Sequence, residues 1–131
     1  MGNEAIRVVS AEIEREGVYL ITQRSAKAVL PLLWEFPGGR VHQEESDMDA
    51  LVRNLRARLG VVVDVGEKLM EVEHTYDNYS LTLVVYRGSL GDQEPRPIKV
   101  NALAWVAPED FGDYPFPGAD QQTVDALLGY S

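Results

Sequence analysis

The sequence predicts one domain of the α+β or α/β sandwich class, and three observations carry that reading. Apolar runs of strand length lie on both sides of one segment with a helical period. That segment is central, and a second, short helical segment lies near the end of the sequence. The 131 residues suffice for a core that needs no disulfide or metal to hold it.

Taken in order, Ala5 to Glu14 reads as a strand and Val18 to Arg24 as its hairpin partner across Arg15-Glu16-Gly17. Ser25 to Leu33 reads as a loop passing through Pro31. A helix is predicted over Asp47 to Leu59, with Met48, Leu51, Val52, Leu55 and Leu59 as its apolar stripe. Ser46 with Asp49 forms a capping box, and Gly60 is a natural stop. Val61–Val65, Met70–Thr75, Ser80–Gly88 and Ala102–Val106 read as strands, with a two-proline loop from Gly91 to Pro97. The final helix should turn Val124, Leu127 and Leu128 inward.

Apolar content of 45% and charged content of 25% are ordinary for a soluble globular chain. No apolar run reaches spanning length, so no membrane partner is expected. No signal-peptide pattern precedes the first strand. The absence of cysteine excludes disulfides and thiolate metal sites and fits a cytoplasmic protein. The formal charge of −9 weighs against long nucleic acid as a partner, because that affinity comes from neutralised phosphates. An acidic surface that aids solubility is the simpler meaning of the charge, and it leaves small anions and a homodimer open.

One constellation is more specific. Trp34-Glu35-Phe36-Pro37-Gly38-Gly39 runs into the helix, and Gly39, Glu45, Arg53, Leu55, Gly60 and Val61 fall at the spacing G-x5-E-x7-R-E-U-x-E-E-x-G-U, where U is bulky and aliphatic. The chain thereby resembles the Nudix hydrolases, in the branch that holds MutT and the CTP pyrophosphohydrolases. Gln23-Arg24, Trp105 to Phe111 and Phe116 to Asp120 extend the similarity over nearly the whole chain. The resemblance implies a mixed β-sheet sandwiched between helices. It also implies hydrolysis of a nucleoside triphosphate to monophosphate and pyrophosphate with Mg2+ or Mn2+. Arg24, Gly38, Gly39, Phe116 and Asp120 would then contact substrate. Glu45 would lie near the catalytic centre and the metal with Glu44 beside it, and Arg53 would hold the loop by pairing with a glutamate.

The departures fall where that chemistry happens. Asn54, Ala57 and Arg58 stand at three glutamate positions of the motif. They are one helical turn apart and are expected on an exposed face, apart from the aliphatic stripe. Hydrolysis of a phosphoanhydride by this family needs hard cations held by oxygen ligands. Alanine offers none and asparagine one neutral oxygen. Arginine reverses the charge: a unit cation about 4 Å from a divalent ion costs roughly 8 kcal/mol at an effective dielectric near 20. The further acidic ligand expected before the late tryptophan strand aligns with Lys99, with Glu94 nearby as a substitute if the loop is shifted.

Each remaining candidate has a plain reading beside the functional one. Glu44 and Glu45 are also ordinary acids near a helix N-terminus, where the dipole favours them. Arg56, Arg58 and Lys99 either face the phosphate pocket and pair with phosphate directly, or form a solvated face. Asp120 either reads an amino-bearing base, such as cytosine or a modified purine, or caps the last helix. Phe116 and Tyr114 either stack on a base or cover the core edge. His74 has no second histidine at ligand spacing, which argues against zinc. The sequence therefore predicts a small-molecule nucleotide as partner. Two functions follow: a hydrolase with weak or lost activity that uses Glu44, Glu45 and Glu94 or Glu73, or a silent nucleotide-binding or interaction module without a cation.

Overall fold

Strand β1 (Glu4–Arg15) is the spine of the sheet, because both of its edges are paired. Along one edge it runs parallel to β6 (Tyr79–Ser89), from Glu4 opposite Tyr79 to Ile13 opposite Gly88. The other edge is divided. Val8 to Ser10 pair antiparallel with β4 (Gly38–Arg40), and Glu14 and Arg15 pair with β2 (Val18–Gln23). Strand β2 also carries β3 (Trp34–Glu35) and β7 (Ala102–Val106), and β5 (Asp64–Thr75) runs antiparallel to β6. This computed structural model describes residues 4–28, 31–77 and 79–129, so Val29 and Leu30 of the predicted loop lie outside the described residues.

The alternation of side chains along β1 and β6 divides the core into two layers. Val9, Ala11 and Ile13 join Val84 against Ala50, Leu51, Leu55 and Leu59 of helix α1 (Asp47–Leu59). Val8 joins Leu81, Leu83 and Val85 on the opposite face, together with Ala119 of helix α2 (Gly118–Leu127). The mixed sheet therefore lies between two helices, as expected. Between β7 and α2 a short 3-10 turn (Pro108–Asp113) brings in Phe111, which packs with Phe36, Phe116 and Val124. Among the described residues no helix is long and apolar enough to cross a membrane.

Helix α1 begins and ends where its caps dictate. Ser46 Oγ accepts the Asp49 N–H at 3.1 Å, and Gly60 takes the left-handed conformation at φ +71° with its N–H on the Arg56 carbonyl. Asp47 fixes the start of the helix to the sheet. Its carboxylate accepts Arg7 Nε at 2.8 Å and Nη2 at 2.7 Å, and the Tyr86 hydroxyl at 2.8 Å. The Arg7 hydrogen bonds hold the Asp47 carboxyl below its usual range, while burial, followed by the bond to Asp47, pushes the Tyr86 phenol up to about 12.

Three elements differ from the sequence expectation. Residues 61–63 are not strand, and β5 starts at Asp64 and continues to Thr75 through irregular register between Val65 and Met70. Val61 and Val63 are buried and Val62 is exposed, which gives the alternation of a strand without its ladder. The Gln93 side chain replaces the missing partner: its Oε1 accepts the Val62 N–H and its Nε2 donates to the Val62 carbonyl, both at 2.8 Å. The short strands β3 and β4 were not expected, because Pro37 and two glycines break any periodic pattern there. Pro37 nevertheless gives its carbonyl to the Ala11 N–H at 2.9 Å, which brings β4 against β1. A Cβ on Gly38 would overlap the Val9 carbonyl oxygen, so this approach is open to glycine alone.

Candidate functional site

A cavity of about 730 Å³ opens on the α2 side of the sheet. Its floor comes from the face of β1 and β6 that carries Ile6, Val8, Ser10, Leu81 and Leu83. One wall comes from β4 and α1, and the far end from β3, the β5–β6 turn and the start of α2.

The first wall is built by a clamp on Arg40. Arg53 grips Glu45 with two nitrogens, Nε to Oε2 at 2.8 Å and Nη2 to Oε1 at 2.9 Å. Its Nη2 also donates to the Arg40 carbonyl at 2.9 Å. Asn54 Nδ2 donates to that same carbonyl at 3.1 Å and to the Ala50 carbonyl at 2.9 Å. Glu45 Oε1 further accepts the His42 N–H at 2.9 Å. These hydrogen bonds, Arg53 first, pull the Glu45 carboxyl down to about 2. Asn54 is only 4% exposed, so the exposed face expected for residues 54, 57 and 58 is wrong at its first member. The asparagine lies against Gly39, where a Cβ would collide with its amide.

Ala57, Arg58 and Lys99 line the cavity beyond this clamp. The Arg58 carbonyl accepts the N–H groups of Ile98 at 3.0 Å and Lys99 at 3.1 Å, so the chain before β7 is strapped along the end of α1. Two cations are thereby delivered to one wall. Arg56 is exposed and lies outside the lining, because it is two residues from both Asn54 and Arg58 on the helix and so faces away. Glu94 is also displaced from the site: its carboxylate pairs with Arg15 at 3.0 Å, near the β1–β2 hairpin. Glu44 is exposed, left-handed at φ +65° and outside the lining, and Glu73 of β5 is exposed and outside the lining too.

This donor set does not fit a hard divalent cation, which requires several oxygen ligands. Asn54 directs its amide nitrogen to two carbonyls, Ala57 has no donor, and Arg58 and Lys99 are cations. Glu45 is engaged by Arg53 and the His42 N–H. Among the described residues, no group of three histidines or carboxylates is placed to hold a metal ion.

The far end carries the opposite chemistry. Arg24 Nη1 pairs with Glu35 Oε1 at 2.9 Å, and both line the cavity beside Asp120. Asp120 is 7% exposed and accepts a backbone N–H from Phe36. Burial first, and then the neighbouring Glu35, push its carboxyl well above the usual range against the pull of the Phe36 bond and Arg24. It does not cap α2, because the N-cap is Pro117, without a side-chain cap. The Ala119 N–H in the first turn donates to the Tyr76 hydroxyl at 3.1 Å instead.

Tyr76 and Tyr79 stack with centroids 5.0 Å apart and line this end. His74 packs against Tyr76 at 4.5 Å and under Gly118, where a Cβ would approach the imidazole to 2.6 Å. Phe116 stacks on Phe36 at 5.5 Å and meets Phe111 edge-on at 5.8 Å, outside the cavity lining. Sequence reasoning passed over Glu35, Tyr76, Tyr79 and Ser10 as pocket residues. Ser10 had a signal: it shares its strand face with Ile6 and Val8, yet is polar.

Comparison with known proteins identifies relatives of the chain as a whole. The family model described as the NUDIX domain matches residues 8–126. The CTP pyrophosphohydrolase of Escherichia coli K12 is 36% identical over 128 residues, covering 94% of this chain and 91% of that protein. The solution structure of the Escherichia coli ORF135 protein superposes with a TM-score of 0.80 at 34% identity, covering 97% of this chain and 91% of the other. A MutT protein from Methanosarcina mazei Go1 shares the fold with a TM-score of 0.88 at 20% identity, covering 98% and 96%.

Proposed function

The chain belongs to the Nudix family, and from that premise we propose that its cavity binds a nucleoside triphosphate and hydrolyses it weakly or not at all. One observation carries the reading: Arg58 and Lys99, tied together through the Arg58 carbonyl, occupy the wall beside Ala57 and Asn54. Nudix hydrolases generally work with divalent metals, and the three glutamates of the motif are replaced on that wall. A guanidinium and an ammonium pair with phosphate oxygens directly. The phosphates are therefore held by cations of the protein itself. Gly38 and Gly39 line this wall, where their lack of side chains lets β4 lie against Val9 and Asn54.

At the far end, Asp120 and Glu35 present carboxyl groups to the base edge, and Arg24 orients Glu35. A carboxyl group suits a base with an exocyclic amine, so cytosine or a modified purine is the preferred heterocycle. The pyrophosphohydrolase named for CTP among the relatives points the same way. Glu45 and Arg53 keep the loop after β4 in place, and neither takes part in bond breaking.

Titration calorimetry with CTP, dCTP and 8-oxo-dGTP tests this, with each ligand measured in EDTA and again in magnesium. Binding should persist in EDTA, and pyrophosphate release should be negligible with either magnesium or manganese. Steady metal-dependent pyrophosphate release, or binding that disappears with the chelator, would overturn the reading.

A further inference from the structure

Tyr76 and Tyr79 are aromatic residues that the core does not claim. Their rings stack on each other, with centroids 5.0 Å apart and planes 26° from parallel. Among the described residues neither packs against any of the three buried clusters, whereas Tyr19, Tyr86 and Tyr114 each do. Both are partly exposed and both line the cavity. Closing the β5–β6 hairpin accounts for their contact with each other, but not for their place in the cavity.

The strand register fixes where Tyr79 stands. Leu81 pairs with Ile6 and Leu83 with Val8, and these four form the apolar floor. Tyr79 comes two residues before Leu81, so its side chain leaves the sheet on the same face and prolongs that floor at the end lined by Glu35 and Asp120. The ring is held from behind. The Tyr76 N–H donates to the Tyr79 carbonyl at 2.8 Å, the Tyr76 hydroxyl accepts the Ala119 N–H at 3.1 Å, and His74 packs on Tyr76 at 4.5 Å. Helix α2 and the hairpin thus fix Tyr76, and Tyr76 backs Tyr79. A ring fixed before its ligand arrives loses little freedom on binding.

We propose that Tyr79 is a specificity-determining residue that stacks on the bound heterocycle and favours fused rings over a single one. The inference rests on the nucleotide-binding reading above and adds a contact that the carboxyl groups cannot supply. Carboxyl groups read the edge of a base, and an exocyclic amine on cytosine or on a purine satisfies them alike. Stacking acts on the ring face and grows with the area overlapped, so two fused rings gain more than one. Tyr79 therefore favours an oxidised purine over cytosine.

The test compares Tyr79→Phe and Tyr79→Leu with the unmodified protein by calorimetry in EDTA, using 8-oxo-dGTP, dCTP and inorganic tripolyphosphate as probes. Phenylalanine keeps the ring, and leucine keeps apolar bulk without it. Tyr79→Leu should weaken 8-oxo-dGTP by about 3- to 10-fold and dCTP by less, while Tyr79→Phe stays within about twofold of the unmodified protein. Tripolyphosphate has no ring, so its affinity should not move in either variant. Unchanged binding of both nucleotides by Tyr79→Leu would overturn this inference and leave the nucleotide-binding reading standing. So would a loss in Tyr79→Phe as large as in Tyr79→Leu, or an equal loss for both nucleotides. A loss that extends to tripolyphosphate would overturn it too, by showing a general disturbance of the cavity. Failure of the unmodified protein to bind either nucleotide would overturn both readings.

Discussion

Arg53 holds Glu45 through two parallel hydrogen bonds at 2.8 and 2.9 Å, and this pair joins helix α1 to the loop that precedes it. The bond is charge-assisted and bidentate, the arrangement in which arginine cannot be exchanged for lysine without loss. Arg53→Lys should lower the unfolding temperature and expose the backbone of residues 41–46 to hydrogen exchange. Unchanged protection in that loop would show that the pair is ornamental.

The same pair sets an acid limit. The Glu45 carboxyl is held at about 2 in the folded chain, below its ordinary value of 4.5. Because the folded value is the lower one, the stabilisation is complete above about pH 4.5 and is lost as pH falls toward 2. The difference in stability between the unmodified protein and Glu45→Gln should therefore shrink as pH drops from 5 to 2. Denaturant titrations at several pH values give that difference. A gap that stays constant would place the stabilisation elsewhere.

Asp120 titrates in the opposite sense. Burial and the nearby Glu35 raise its carboxyl above the ordinary value. Its contribution is thus fully present below the unfolded value of 3.8 and lost as pH rises through the higher folded one. Asp120→Asn imitates the neutral acid, so it should stabilise the protein at pH 8 and leave stability at low pH nearly unchanged. Equal effects at both ends of the range would mean that Asp120 stays ionised when buried.

These residues also show what a one-dimensional reading reaches. The helix from Asp47 to Leu59 was legible because its stripe and both caps are local signals. That Arg53 pairs with a glutamate was legible only through the family resemblance, and that the glutamate is Glu45 was not, since eight residues and a turn separate the partners. Burial of Asn54 was not legible. Helical spacing set it on a face with Ala57 and Arg58, but β4 packs over one turn of that face through Gly39 and the Arg40 carbonyl. The strand expected at residues 61–63 failed for a related reason. Alternation reports burial, and here a glutamine side chain from thirty-one residues away takes the hydrogen bonds of a ladder.

Close packing of Asn54 on Gly39 gives a direct stability test. A methyl at Gly39 meets the Asn54 amide and forces it off the Arg40 carbonyl. Gly39→Ala should cost about 1–3 kcal/mol, the usual range for overpacking, and Asn54→Ala in the same chain should recover part of it. Additive losses in the double variant would show that the two residues do not share this space.

The cations on the α1 wall can be reversed. Ala57 and Arg58 line the cavity, so carboxylates placed there would face the same space. Ala57→Glu with Arg58→Glu removes one positive charge and adds two carboxylates, and Lys99→Glu extends the change to the strapped segment beside them. Reversing a charge about 4 Å from a divalent ion is worth several kcal/mol at an effective dielectric near 20. Affinity for manganese, measured by calorimetry, should therefore rise at least about tenfold in the double variant and further in the triple. CTP binding in EDTA should weaken in both, because the phosphates lose their direct partners. Asn54 is left in place, since its amide holds β4 to the helix. Manganese affinity that does not move would mean that the helix is rotated away from the phosphate site, and would remove the basis for reading Arg58 and Lys99 as phosphate ligands.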